Sequence, residues 1–182
     1  MPKPFRGIFM AIKKIALIST GGTIEKTYNP LEGILHNEVS VLDVMLGQLN
    51  LKGLKLDRVQ LMNKDSLDMT QRDHQLIAFT TEAMLEHHDG VIVVHGTDTL
   101  EVSGETCYER FMESGELKGP IVFTGAMRPY ELRSTDALQN LTEALIAVQI
   151  LPPGVYVVMH SEVLTFPGVK KDKDKLCFIQ TK

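Results

Sequence analysis

Five short runs of the sequence hold the residue types that chemistry needs. They are Thr20-Gly21-Gly22-Thr23, Lys64-Asp65-Ser66-Leu67-Asp68, His95-Gly96-Thr97-Asp98-Thr99, Gly125-Ala126-Met127-Arg128-Pro129 and His160-Ser161-Glu162, the last leading on to Lys170-Lys171. Hydroxyls, carboxylates and amines are the raw material of acid–base and nucleophilic chemistry. Each run also has a plainer explanation. Gly21-Gly22 can expose backbone N–H groups to a ligand, or simply make a tight turn; neither phosphate-binding glycine pattern is present. Thr97, Asp98 and Thr99 suit a helix N-cap, and Ser66 with Asp68 suits a turn ahead of a helix at Thr70. Lys170 and Lys171, in a tail with Asp172, Lys173, Asp174 and Lys175, read as a solvated charge run. His87-His88-Asp89 reads as a polar helix end and His160 as a strand-end histidine. No metal-ligand spacing appears, so neither a metal nor another cofactor is expected.

The elements that must carry these runs follow from the apolar pattern. Lys14–Ser19, Leu56–Met62, Gly90–His95, Pro120–Gly125 and Val155–Met159 read as buried strands. Ser40–Leu49, Thr70–Glu86, Leu100–Glu113 and Thr135–Ile150 read as amphipathic helices between them. Unbroken apolar strands alternating with helices predict a mainly parallel sheet covered on both faces, a three-layer α/β/α sandwich. Right-handed crossovers favour a doubly wound, flavodoxin-like strand order 2-1-3-4-5. In such a sheet ligands bind beyond the carboxyl ends of the strands, and all five runs fall there. That shared position is what a set of unrelated turns and caps does not explain.

Composition bounds the rest. A chain of 182 residues with 43% apolar and 23% charged residues builds a core without staples, and no linker divides it, so residues 1–182 are read as one domain. Net charge is −4 and no basic stripe precedes the tail, which argues against a nucleic-acid partner. The apolar run Ile8–Ile12 is too short for a membrane span and has its lysines on the wrong side for a signal peptide. Met10 could be the start, with the preceding residues an upstream extension. The two cysteines, Cys107 and Cys177, form no C-x-x-C pair, and a reducing cytoplasm is expected.

Taken together the runs resemble a known family. Ser19-Thr20-Gly21-Gly22-Thr23-Ile24 resembles the first active-site motif of bacterial-type L-asparaginases, and Val94-His95-Gly96-Thr97-Asp98-Thr99-Leu100-Glu101 resembles the second. Asp65-Ser66-Leu67-Asp68-Met69 is similar to the family's substrate-binding serine segment. Thr124–Pro129 matches another segment, and Val155–Leu164 with Val169-Lys170-Lys171 resembles the stretch ending in the catalytic lysine. The resemblance runs from about Lys14 to Phe178. It implies Thr23 as nucleophile, Thr97 as second catalytic threonine with Asp98 beside it and Lys171 behind it. It implies Ser66 holding a substrate carboxylate, Asp98 a substrate amine, and Gly22 and Ala126 lining the substrate. The expected reaction is hydrolysis of the side-chain amide of asparagine, or of a related small amide, to the acid and ammonia. A threonine hydroxyl needs a base, and a partly desolvated lysine can serve as one. Backbone N–H groups in the glycine turns can hold the oxyanion.

The sequence departs from the family in three places. The family's C-terminal domain has no counterpart here, so the chain is read as a short stand-alone relative or as a piece of something longer. Ile34 falls near the family's loop tyrosine, and Tyr28, earlier in that loop, is the candidate to replace it. Leu67 stands where a polar side chain usually follows the serine, which bears on which amide fits. Two rival classes remain open, an amino-acid-binding module without catalysis and a subunit that needs a partner to complete its site. Because family members self-associate, a homo-oligomer is expected, with a dimer as the guess.

Overall fold

The structure, a computed structural model, describes residues 12–37, 40–115 and 117–181, so the reading of residues 1–10 lies outside the described residues. The main sheet has five parallel strands: β1 (Lys13–Gly21), β4 (Leu54–Lys64), β5 (Gly90–Val94), β6 (Pro120–Thr124) and β7 (Gly154–Met159). A sixth, β8 (Glu162–Thr165), lies antiparallel against β7 and completes the order β4-β1-β5-β6-β7-β8. The five strands expected from sequence thus stand in the expected order 2-1-3-4-5. The edge strand β8 is an addition, since most of its side chains are exposed and it offers no apolar run.

Alternation divides the strands cleanly between two helical layers. Ala16, Ile18, Val91, Val93, Ile121, Phe123, Val155 and Val157 face α2 (Gln71–Leu85) and α3 (Leu100–Ser114). Ile15, Leu17, Ile92, Val94, Val122, Tyr156 and Val158 face α1 (Leu42–Gly47) and α4 (Ala137–Ile150). Both faces of the inner strands are dry, which is why they read as unbroken apolar runs. Helix α1 is shorter than the expected 40–49. Ser40 stays outside it, accepting a hydrogen bond from the Leu42 N–H, and Gly47 ends it. Among the described residues, no helix is long and apolar enough to cross a membrane.

Two hairpins are not foreseen by the sequence. One pairs β2 (Thr27–Asn29) with β3 (Ile34–His36) just after β1. The other pairs β9 (Val169–Asp172) with β10 (Cys177–Gln180) and corrects the reading of the Lys/Asp tail as a solvated charge run. Val169 is fully buried and Phe178 nearly so, both in the core under α2 and α3. One inward apolar residue on each strand suffices to dock a hairpin whose first strand otherwise carries Lys170, Lys171 and Asp172. Nearby, Phe166 lies so close to Gly104 of α3 that a Cβ there would sit 2.0 Å from its ring.

That contact makes Gly104 a test of the docking. Gly104→Ala should cost about 1–3 kcal/mol through overpacking, read as a lowered urea midpoint. A second test concerns the start of α2. There Asp73 accepts hydrogen bonds from the Thr70 N–H (2.7 Å) and hydroxyl (2.9 Å) and pairs with Lys64 (2.9 Å). The Lys64 ammonium, and then the Thr70 backbone, hold its carboxyl down from 3.8 to about 2. Because the folded value is depressed, its stabilisation is complete above 3.8 and is lost as pH falls toward about 2. Asp73→Ala should cost about 1 kcal/mol at neutral pH and flatten the stability curve in that acid window.

Candidate active site

The site forms where the strand order reverses. After β1 the chain crosses one way to β4, then returns past β1 to β5, so the carboxyl ends of β1 and β5 open a crevice between them. Gly21 and Gly22 turn the chain out of β1 with φ of 94° and 82°, values that a side chain strongly disfavours. The turn is held by the Gly22 N–H donating to the Lys64 carbonyl (2.9 Å) and by Asn37 Nδ2 donating to the Gly22 carbonyl (2.8 Å). Thr23 then opens a short 3-10 turn, Thr23–Glu25. The buried Glu25 carboxylate accepts the Gly21 N–H at 3.2 Å, and desolvation raises its pKa.

Across the crevice the chain leaves β5 through His95-Gly96-Thr97-Asp98. Backbones touch here. A Cβ on Gly22 would lie 2.4 Å from the Gly96 Cα, and one on Gly96 would lie 2.6 Å from Ser66 Oγ. A Cβ on Gly125 would lie 2.3 Å from the His95 carbonyl and 3.5 Å from the Thr97 methyl. Gly22, Ser66, Gly96 and Gly125 thus converge, with Ala126 buried just beyond. The plain reading of Thr97-Asp98-Thr99 as a cap gives way. Thr99 stands at the N-cap of α3 but makes no side-chain cap bond, and its hydroxyl donates to the Ser66 carbonyl at 2.9 Å.

The lysine reaches this crevice from β9. Lys171 Nζ lies 2.8 Å from Thr97 Oγ1 and 2.8 Å from Asp98 Oδ1. Its side chain is only 10% exposed, against 74% for Lys175 in the neighbouring Lys175–Asp172 pair. The strand is pinned to α3 by two carboxylates: Glu101 accepts the Lys171 N–H (2.6 Å) and Glu105 accepts the Gly168 N–H (2.6 Å). A shielded pair of opposite charges interacts more strongly than an exposed one, because less water screens it.

The structure therefore brings Thr97, Asp98 and Lys171 into direct contact, and sets Gly22 and Ser66 against Gly96 beside them. Thr23 follows Gly22 directly. Tyr28 is not gathered in this way. It stands on β2, 53% exposed, and no hydrogen bond among the described residues ties it to Thr23, Thr97 or Lys171. Leu67 is 70% exposed at the rim of the serine turn. Among the described residues, no group of three or more His, Cys, Asp or Glu side chains could hold a metal.

Several supporting residues escape a reading of the sequence. Lys26 and Asp65 form an ion pair at 2.6 Å that ties the Thr23 turn to the Ser66 turn, and the lysine holds the Asp65 carboxyl below its usual range. Asp136 accepts the Met127 and Arg128 N–H groups (both 3.0 Å) and pairs with His160 (2.7 Å), while Asn140 donates to the Gly125 carbonyl (2.9 Å). These contacts fix the loop carrying Ala126. The partners lie far apart in sequence or on separate turns, so no local pattern marks them.

Comparison with known proteins places this geometry in a family. The family described as Asparaginase, N-terminal, matches residues 14–175. L-asparaginase 2 of Escherichia coli strain K12 is 30% identical over 179 residues, covering 92% of this chain and 49% of that protein. A glutamyl-tRNA(Gln) amidotransferase subunit of Methanococcus vannielii is 30% identical over 159 residues, covering 84% of this chain and 35% of that one. Among solved structures, the thermostable L-asparaginase from Thermococcus kodakarensis superposes with a TM-score of 0.75 at 26% identity, covering 87% of this chain and 47% of that one. The chain spans about half or less of the length of these relatives. With a family match over most of its residues, and with the motif runs meeting at one crevice, the chain belongs to the asparaginase N-terminal family.

Proposed function

We propose that this chain is an asparaginase-type amidohydrolase that cleaves the side-chain amide of asparagine, or of a related small amide, to the acid and ammonia. The observation that carries the reading is Lys171 Nζ, 2.8 Å from both Thr97 Oγ1 and Asp98 Oδ1, beside the turn that presents Thr23. Binding a small amino acid needs a carboxylate site and an amine site. It does not need a second threonine joined to a shielded lysine, and that surplus favours catalysis over a binding module.

In the proposed reaction Ser66 takes the substrate carboxylate. The Asp98 oxygen that Lys171 leaves open takes the substrate ammonium. The Thr23 hydroxyl attacks the amide carbon, forming a C–O bond, and backbone N–H groups of the glycine turns hold the oxyanion. The Thr23 proton passes through Thr97 and Lys171 to the departing nitrogen as the C–N bond breaks, releasing ammonia. Water then attacks the acyl-threonine ester by the reverse proton path, freeing the acid and Thr23. Asp98 keeps the lysine on Thr97 throughout.

A second reading has one specific support. The relatives include an amidotransferase subunit, and this chain spans 35% of it and 49% of the asparaginase. In that reading the same crevice reacts only after a partner completes it.

Ammonia release from asparagine, glutamine and related amides separates the alternatives. The purified chain should release ammonia from asparagine; Thr23→Ala should lower kcat about 10⁴-fold or more and Lys171→Met about 10²- to 10⁴-fold. Asparagine binding without turnover would favour a sensor, whereas activity appearing only with an added cell extract would favour the partner-dependent subunit. Ser66→Ala should chiefly raise KM, by about 10- to 100-fold, since it removes a hydrogen bond to a charged group. Glu101→Ala, which frees the Lys171 backbone, should lower kcat about tenfold at similar KM, and Glu101→Gln should recover most of it.

A further inference from the structure

We propose that His95, Ser103 and His74 are positioning residues, forming a buried, one-directional hydrogen-bond chain that fixes the Gly96–Thr97 peptide at the floor of the crevice. The inference rests on the amide-hydrolysing reading above and extends it to side chains that touch no substrate. His74 Nδ1 lies 2.7 Å from Ser103 Oγ, Ser103 Oγ lies 2.8 Å from His95 Nε2, and His95 Nδ1 lies 2.8 Å from the Gly96 carbonyl oxygen. The three side chains come from α2, α3 and the end of β5, and none is more than 4% exposed. The two imidazoles stack 6.3 Å apart, with planes 16° from parallel.

Every proton in the chain is determined by its end. A carbonyl only accepts, so His95 Nδ1 carries the proton and donates to Gly96. In the neutral ring Nε2 is then a lone pair, and the Ser103 hydroxyl must donate to it. The Ser103 oxygen is left to accept, and His74 Nδ1 must be protonated to donate. Burial keeps the chain uncharged, depressing His95 to about 4 and lowering His74 as well. Ser103 departs from the habit of its helical neighbours. Thr80, Thr106 and Thr142 all spend their hydroxyls on the carbonyl four residues back, as hydroxyls in helices commonly do. Ser103 sits between the two imidazoles instead.

The chain ends at a sensitive place. Gly96 is the residue on which Gly22 and Ser66 pack, and the peptide it shares with Thr97 leads directly to the hydroxyl that Lys171 touches. The Gly96 carbonyl is held toward the buried imidazole, so in a trans peptide the Thr97 N–H points the other way, out of the core. A small rotation of this peptide would move both that N–H and the Thr97 side chain. Misplacement on the order of 1 Å can cost about 100-fold in rate.

Imidazole nitrogen resonances test the chain without reference to turnover. Both His95 and His74 should be Nδ1–H tautomers, and an Nε2–H tautomer on either ring overturns the proposal. The Thr97 backbone amide resonance should move in His74→Leu and return in His74→Asn, whose side-chain amide places an N–H near the former Nδ1. An unmoved resonance in His74→Leu also overturns it. In turnover, Ser103→Ala should lower kcat about 10- to 100-fold with KM within about twofold, and His74→Leu should do the same to a smaller degree. His95→Asn, which keeps a donor to Gly96, should retain more activity than His95→Leu. A fall in thermal midpoint with kcat unchanged, or a loss confined to KM, would show a merely structural role. If the wild-type chain releases no ammonia from any amide, the hydrolase reading falls, and the tautomers and the Thr97 amide still decide the chain.

Discussion

The contact between the Gly22 and Gly96 backbones is the constraint on which the site depends. Two parallel strands that neighbour each other in the sheet normally end about 4.8 Å apart, with side chains filling the space beyond them. Here the space above β1 and β5 is closed by the Gly22 and Gly96 backbones and the Ser66 side chain: a Cβ on Gly22 would lie 2.4 Å from the Gly96 backbone, and one on Gly96 would lie 2.6 Å from Ser66 Oγ. This allows the Thr23 turn, the Ser66 turn and the Thr97 segment to meet within one small volume. The Gly21-Gly22 turn, with positive φ at both residues, carries the chain out of β1 past the Lys64 backbone and against Gly96.

Delivery of the lysine is a separate problem, and the fold solves it by docking rather than by the sheet. β9 is not part of the main sheet. It is held against α3 by Val169 in the core, by Phe166 filling the gap above Gly104, and by Glu101 and Glu105 accepting backbone N–H groups at 2.6 Å. The two glutamates lie four residues apart, on one face of the helix, and Gly104 lies between them where the Phe166 ring packs closely. The first turn of α3 therefore carries both halves of the pair, Asp98 just before it and the anchor of Lys171 within it.

How far this was visible in the sequence depends on the range over which each signal acts. KIALIS, GVIVV and VYVVM are buried on both faces, so they stand out as apolar runs, and the helices between them carry their own periodicity. The runs holding Thr23, Ser66, Thr97 and Asp98 were visible because each follows a strand, whereas Lys171, within β9, was legible only through the family resemblance. β8 was hidden because it is short and mostly exposed; β9 and β10 were hidden because each docks through one inward residue, Val169 or Phe178, which the Lys/Asp composition between them masks. The preference for hydroxyls at helix starts is local and places Thr99 at the N-cap of α3, but it does not reveal the partner that the hydroxyl takes, the Ser66 carbonyl 33 residues away. Lys26–Asp65 and Glu101–Lys171 join residues 39 and 70 apart, and only tertiary structure could pair them.

Polar groups around the crevice are sorted by depth, and the sorting follows from the energetics of charge. Beneath Gly96, where an ion would lose its hydration with little return, His74, Ser103 and His95 are uncharged and bond to one another and to a carbonyl; the carboxyl buried under the Gly21 turn, Glu25, accepts a backbone N–H and has its pKa raised by the same desolvation. At the boundary, Lys171 and Asp98 are shielded enough for their attraction to hold geometry, yet Asp98 is still 32% exposed and can receive a group from solvent. Lys26 and Asp65 form a second pair, whose lysine is less shielded than Lys171 and which ties two turns together. Exchanging the roles would fail at both ends. A charged pair at the position of His95 would have no solvent to offset its desolvation, and a neutral chain at the rim would exchange its hydrogen bonds with water and hold nothing in place.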